Sequence, residues 1–121
     1  SQASMDPPLI SVCIRKDSNL YHIIRSRTEF ILHLLSDDQK DFAAIFFKIN
    51  KVDGNEINGQ KYILQEDLPV LLDAPAFLKC NVIEIVDKGD HPLFVARVAN
   101  ASVKAEVAPL ELRKTGWVYG G

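Results

Sequence analysis

The sequence predicts a mainly β fold carrying short helices, on three observations. Apolar, β-branched runs of strand length recur at 9–14, 30–35, 76–86 and 93–107; turn-forming residues separate them; and two segments alone, 20–27 and 37–48, show helical spacing. Short strands with few helices point to a β-rich barrel or sandwich decorated by helices. With 121 residues, 47% of them hydrophobic and 25% charged, the chain is sized for a single domain, 1–121. Such a domain needs neither metal nor disulfides to fold.

The elements follow in order. Asp6-Pro7-Pro8 imposes an extended or turning backbone. Leu9 to Ile14 then runs almost unbroken in apolar residues, the pattern of a central strand covered on both faces. Arg15 to Asn19 supplies charge and turn formers, and Leu20, Ile23 and Ile24 recur at helical spacing. Phe30 to Leu35 reads as a strand. Ser36 and Gln39 stand at capping-box spacing around Asp37 and Asp38, which predicts a helix from 37 to about 48 with Phe42, Ile45 and Phe46 on one face.

Asp53-Gly54 and Asn58-Gly59 mark two tight turns. Residues 65–75 hold two prolines and no clean period, which predicts a packed irregular connection. Two long strands, 76–86 and 93–107, are expected to form a hairpin whose polar tip is Asp87 to Pro92. The tail from Pro109 carries Trp117 and Tyr119.

Fourteen basic residues against sixteen acidic ones give a formal charge of -2, which removes the electrostatic basis for binding nucleic acid or an anionic membrane. No apolar run approaches the length of a membrane span, and nothing reads as a secretory signal. Cys13 and Cys80 both lie in apolar runs and are expected to be buried, reduced thiols of a cytoplasmic protein. The one methionine, Met5, is internal, so Ser1 to Ser4 is expected to be either an added remnant or part of a longer chain.

Several templates are missing. There is no G-x-G-x-x-G opening a helix, no P-loop and no G-x-S-x-G. His22, His33 and His91 lack metal-ligand spacing, so no metal site is expected. Asn100-Ala101-Ser102 matches a glycosylation sequon and is expected to be idle. What remains are polar clusters at strand ends. Ser1, Gln2 and Ser4 precede the Pro-Pro turn, and Arg15, Lys16, Ser18 and Asn19 follow the next strand. Gathered on one side of a barrel they would suit a phosphate or a flavin-like ligand, since a phosphate takes charge-assisted donors and hydroxyls; alternatively they form a solvated turn. His91, after Gly89-Asp90, could donate to a cofactor or shuttle a proton, or simply sit in a loop.

The run Ser4 to Val12, then Arg15-Lys16-Asp17-Ser18-Asn19, then Phe30 to Leu35 with Ser36-Asp37-Asp38-Gln39, resembles the flavin reductase-like family of FMN-binding split barrels. Leu71-Leu72-Asp73, Ala76 to Cys80 and Gly89-Asp90-His91-Pro92-Leu93-Phe94-Val95 resemble the same family in the same order. The resemblance implies an FMN-binding split β-barrel, here lacking its N-terminal strands, as a flavoredoxin-like oxidoreductase.

It further implies that Ser1, Gln2 and Ser4 lie along the flavin and that Arg15, Lys16, Ser18 and Asn19 hold its ribityl phosphate. His33, Leu35, Ser36 and Gln39 would add cofactor contacts, and His91 would stand near the flavin ring as the catalytic candidate. Relatives often have asparagine where this chain has His33 and threonine where it has Leu20. A reduced nicotinamide, NADH or NADPH, would pass hydride to FMN or another flavin, which would hand electrons to an acceptor. A homodimer with flavin at the interface is also implied, with Trp117 and Tyr119 near that surface. The alternatives are an FMN-bound module reduced by a redox partner protein, and a non-catalytic barrel that has lost flavin.

Overall fold

The computed structural model describes residues 1–118, in which the predicted mainly β composition is seen. The strands are β1 (Gln2–Ser4), β2 (Leu9–Cys13), β3 (Glu29–Leu34), β4 (Val52–Asp53), β5 (Glu56–Ile57), β6 (Gln60–Gln65), β7 (Leu68–Leu71), β8 (Ala76–Val86) and β9 (Leu93–Val103). The helices are α1 (Asn19–Arg27), α2 (Lys40–Ile45) and α3 (Leu112–Thr115). One sheet runs β1-β2-β9-β8-β3 and the other β4-β5-β6-β7, and neither closes on itself among the described residues. Tyr119, expected near an interface, lies outside the described residues. No described helix is long and apolar enough to cross a membrane.

The chain divides into two compact units. The first comprises Ser1–Phe30 and Leu78–Ala101. In it β2 pairs antiparallel with β9, setting Ile10 opposite Ala96 and Val12 opposite Phe94. Ile10, Tyr21, Ile24, Phe94 and Ala96 are buried, and the Tyr21 ring meets Phe94 edge-on at 5.8 Å. Burying a side chain of this size stabilises the fold by about 1.5–3 kcal/mol. β2 is less enclosed than predicted: Cys13 at its end is exposed, while Cys80 is buried as expected.

Helix α1 forms where the spacing placed it, with Ser18 as its N-cap accepting the Tyr21 N–H at 3.2 Å. Thr28 closes it in a left-handed conformation, φ 60°, its N–H bonded to the Ile24 carbonyl. The inward face differs from the prediction. Ile24 is buried as its spacing implied, but Leu20 and Ile23 are each 54% exposed and Tyr21 is buried in their place. Tyr21 can go inside because its hydroxyl has a carboxylate partner, so burial of the ring leaves no orphaned polar group.

The second unit comprises Ile31–Phe77 and Ser102–Val118. Its helix α2 begins at Lys40 and ends at Ile45, shorter at both ends than the predicted 37–48. Half of the capping box forms: the Ser36 N–H donates to Gln39 Oε1 at 3.0 Å. The other half fails because the Ser36 hydroxyl donates to the Asp38 carboxylate, which leaves 36–39 as a turn preceding the helix. Phe42 and Phe46 do share a face, their rings 5.6 Å apart.

Asn58-Gly59 makes the expected two-residue hairpin, both residues at positive φ. Residues 65–75 are not an irregular connection. Glu66 and Asp67 take left-handed conformations, φ 49° and 65°, and join β6 to β7 as a second tight hairpin. Pro69 is tolerated because β7 is an edge strand, where one missing N–H costs no ladder bond. Strand β9 ends at Val103, short of the predicted 107, as the Lys104 and Ala105 N–H groups turn to the Pro75 carbonyl. Leu68, Val70, Leu71, Ala74 and Phe77 are the buried apolar residues of this unit.

Candidate functional site

In the first unit, backbone bonds carry the β2–β9 pairing past Cys13. The Ile14 N–H donates to the Pro92 carbonyl at 3.1 Å and the Lys16 N–H to the Asp90 carbonyl at 2.9 Å. These bonds lay the loop after β2 along the tip of the β8–β9 hairpin. The result is an open cavity of about 560 Å³ lined by Arg15, Lys16, Asp17, Asp90 and His91. Three of the residues singled out from sequence, Arg15, Lys16 and His91, are therefore neighbours although 76 and 75 positions separate the first two from the last.

Ser18 and Asn19 lie just behind them at the start of α1. The Ser18 hydroxyl donates to the Arg15 carbonyl at 2.7 Å while it caps the helix, so it shapes the loop from within. Gln2 and Ser4 line a different, smaller cavity of about 240 Å³ with Pro8, Leu9, Ile10, Leu78 and Val98. Ser1 continues β1, its carbonyl accepting the Ser11 N–H at 2.7 Å.

The cations are matched by carboxylates. Arg15 grips Asp17 with two donors, at 2.5 and 2.6 Å, and Lys16 Nζ reaches Asp87 at 2.8 Å. Hydrogen bonding to Asp17 raises the Arg15 pKa, and the same bond lowers that of Asp17. Lys16 is raised by its bond to Asp87, whose own pKa falls through the bonds from Lys16 and Tyr21. Asp90 is lowered by the His91 ring, whose Nδ1 lies 3.1 Å from Oδ1. Arg15, Lys16, Asp17, Asp87 and Asp90 all hold their charges at neutral pH.

The second unit gathers the remaining candidates. His33 and Leu35 line an apolar cavity of about 310 Å³ with Phe42, Ala43, Phe46, Asn50, Ile57, Pro69 and Leu71. His33 Nε2 accepts the Leu71 N–H at 3.0 Å, which fixes the neutral ring with its proton on Nδ1. Burial pushes the His33 pKa down to about 4, with the Lys104 charge contributing in the same direction. Ser36 and Gln39 bond to each other, and the Gln39 amide donates to the Asp73 carbonyl at 2.8 Å.

Asp17, Asp87, Tyr21 and Arg25 were not singled out from sequence. Asp17 was visible as the third member of an Arg-Lys-Asp run. Asp87 meets partners 62 to 71 positions away, and no local pattern announces that.

Residues 1–118 match the family model of the flavin reductase like domain. The chain belongs to the flavin reductase-like family. It is 30% identical over 98 residues to a probable flavin reductase of Rhizobium meliloti (strain 1021), a match covering 81% of this chain and 31% of that protein. It is 32% identical over 109 residues to the NADH-dependent flavin reductase StyB of Pseudomonas fluorescens, covering 90% of this chain and 62% of that one. The chain thus spans less than two-thirds of both relatives. Among solved structures, the styrene monooxygenase flavin reductase SMOB from Pseudomonas putida S12 superposes with a TM-score of 0.74 at 29% identity, over 90% of this chain and 68% of that one. The flavin reductase-like fold is thereby shown for this mainly β chain, with its sheets open among the described residues.

The donor set around the Arg15–His91 cavity suits a flavin phosphate. Two cations stand at a loop closed by a helix N-cap, in a cavity wide enough for a phosphoryl group and part of the chain that carries it. Both Arg15 and Lys16 side chains are about half exposed, which leaves them accessible to an anion while paired.

Proposed function

We propose that this chain is a flavin-binding reductase domain, 1–121, that uses FMN, takes hydride from NADH and supplies electrons to a partner oxygenase. The single observation that carries the reading is the cationic loop Arg15–Asn19 laid against Asp90-His91, in a chain whose family match runs from residue 1 to 118. The NADH dependence of StyB and the monooxygenase role in the name of SMOB support the choice of donor and of partner.

When bound, the flavin supplies the chemistry, accepting two electrons as hydride from a reduced nicotinamide and releasing them to an acceptor. The chain's own residues bind and orient. Lys16 and Arg15 hold the phosphate as charge-assisted donors, with Ser18 and Asn19 shaping the loop from the start of α1. Ser1, Gln2 and Ser4 line the course of the flavin on β1. His91, its Nδ1 oriented by Asp90, is the candidate to hold a proton beside the ring. A homodimer with flavin at the interface, and Trp117 near it, is part of the same proposal.

Titrating the protein with FMN and with FAD, followed by flavin fluorescence, tests binding; addition of NADH or NADPH under anaerobic conditions tests reduction. The expected result is saturable FMN binding and loss of visible flavin absorbance with NADH. Failure to bind either flavin would refute the reading. Flavin that binds but is bleached by neither nicotinamide would assign the chain to electron transfer from a partner protein.

A further inference from the structure

We propose that Asp87 is a positioning residue for the anion-binding loop: from the end of β8 it sets where the Lys16 ammonium stands in the cavity lined by Arg15, Lys16 and His91. The inference rests on reading that cavity as the site of the flavin phosphate.

Asp87 follows directly on Val86, the last residue of β8. Its two oxygens are used differently. Oδ2 accepts from the Tyr21 hydroxyl at 2.8 Å and from Arg25 Nη1 at 3.0 Å, while Oδ1 accepts from Lys16 Nζ at 2.8 Å. The bonds that orient the carboxylate are therefore separate from the bond that restrains the lysine. The anchor is rigid: Tyr21 is 3% exposed, its ring set against the fully buried Phe94, and Arg25 also donates to the Tyr21 hydroxyl. Lys16 is held at its other end as well, through its backbone N–H on the Asp90 carbonyl.

A lysine without such a partner spreads its charge over many rotamers. With both ends tied to the 87–90 tip, the ammonium is presented from one place, at little further entropic cost when an anion arrives. Asp17 and Asp90 line the cavity, whereas Asp87 does not. It restrains the cation without placing its own charge in front of the ligand.

Electrostatics alone and positioning predict opposite signs. Deleting a negative charge near an anion site strengthens attraction, while releasing Lys16 weakens a contact that depends on geometry. The test compares FMN with riboflavin, which has the same ring and ribityl chain but no phosphate, in fluorescence titrations of the wild type, Asp87→Asn, Tyr21→Phe and Lys16→Met, with thermal unfolding run on each. Asp87→Asn is expected to raise the Kd for FMN about tenfold, a loss of about 1.4 kcal/mol of binding, and to leave riboflavin within about twofold.

In the same experiment the double variant Lys16→Met with Asp87→Asn should be no worse than Lys16→Met alone, because the two residues act as one unit. Tyr21→Phe, which removes one orienting donor and keeps the ring, should shift FMN in the same direction by about threefold; it serves where Asp87→Asn does not fold. Unchanged or tighter FMN binding in the variant that folds, or an equal loss for riboflavin, would overturn the inference alone. A wild type that binds neither compound, or shows no preference for FMN over riboflavin, would overturn the phosphate reading and this inference with it.

Discussion

Acidification should destabilise the fold through His33. Its Nε2 accepts the Leu71 N–H at 3.0 Å, so protonating that nitrogen would set two donors against each other and charge a half-buried ring. The folded-state pKa is accordingly depressed from 6.5 to about 4, chiefly by burial and further by the charge of Lys104. The unfolded chain takes up a proton on this side chain near pH 6.5 and the folded one only near pH 4. Stability from the neutral ring is thus fully present above pH 6.5, declines as the pH falls, and is lost below about 4.

A displacement of this size corresponds to at most about 3 kcal/mol. Water reaches part of the ring and screens the effect, leaving about 2 kcal/mol. Urea denaturation at a series of pH values measures it. His33→Gln keeps an acceptor at the position of Nε2 and does not titrate, so it should flatten the decline between pH 6.5 and 4 while costing no more than about 1 kcal/mol at neutral pH. Proton NMR of the ring gives the pKa directly. A His33 that titrates near 6.5, or a Gln variant that retains the full acid loss, would refute the reasoning.

Two further outcomes follow from the fold. Replacing Glu66-Asp67, both left-handed in a two-residue hairpin, with Asn-Gly should stabilise the protein by about 1 kcal/mol, seen as a raised Tm; a lowered Tm would count against the hairpin. Cys13 should react with a thiol reagent in the native protein, whereas Cys80, fully buried with its thiol pKa pushed up to about 11, should react only on unfolding; two fast thiols would contradict the placement.

The elements with a strong local cause were legible in the sequence. The long hairpin of β8 and β9 announced itself by β-branched runs around a polar tip, and α1 by its spacing. Errors arose where a choice depended on a distant partner. Leu20 looked like a core residue on hydrophobicity, yet Tyr21 went inside because Asp87, 66 positions on, satisfies its hydroxyl. Ser36 looked like a cap, but its hydroxyl had a nearer carboxylate in Asp38. The 65–75 segment looked irregular because neither Glu nor Asp advertises a left-handed turn as glycine does, and because Pro69 argues against a strand unless the strand is an edge. In the candidate site, the polar loops were visible and their convergence was not: Arg15, Lys16 and His91 meet through backbone bonds from Ile14 and Lys16 to the hairpin tip.

The balance of charge in the chain now has a structural meaning. A formal charge of -2 excludes a protein that gathers anions by a broad positive field. It does not exclude an anion site built from a few cations, provided each carries its own counter-charge. Arg15 is held by Asp17 and Lys16 by Asp87, so the loop is near neutral at long range and its donors are directional at short range. On the proposed reading an arriving phosphate would compete with those carboxylates and gain only where its oxygens meet the held donors. Discrimination would then come from geometry rather than from total charge, as selecting one small phosphorylated ligand among many anions requires.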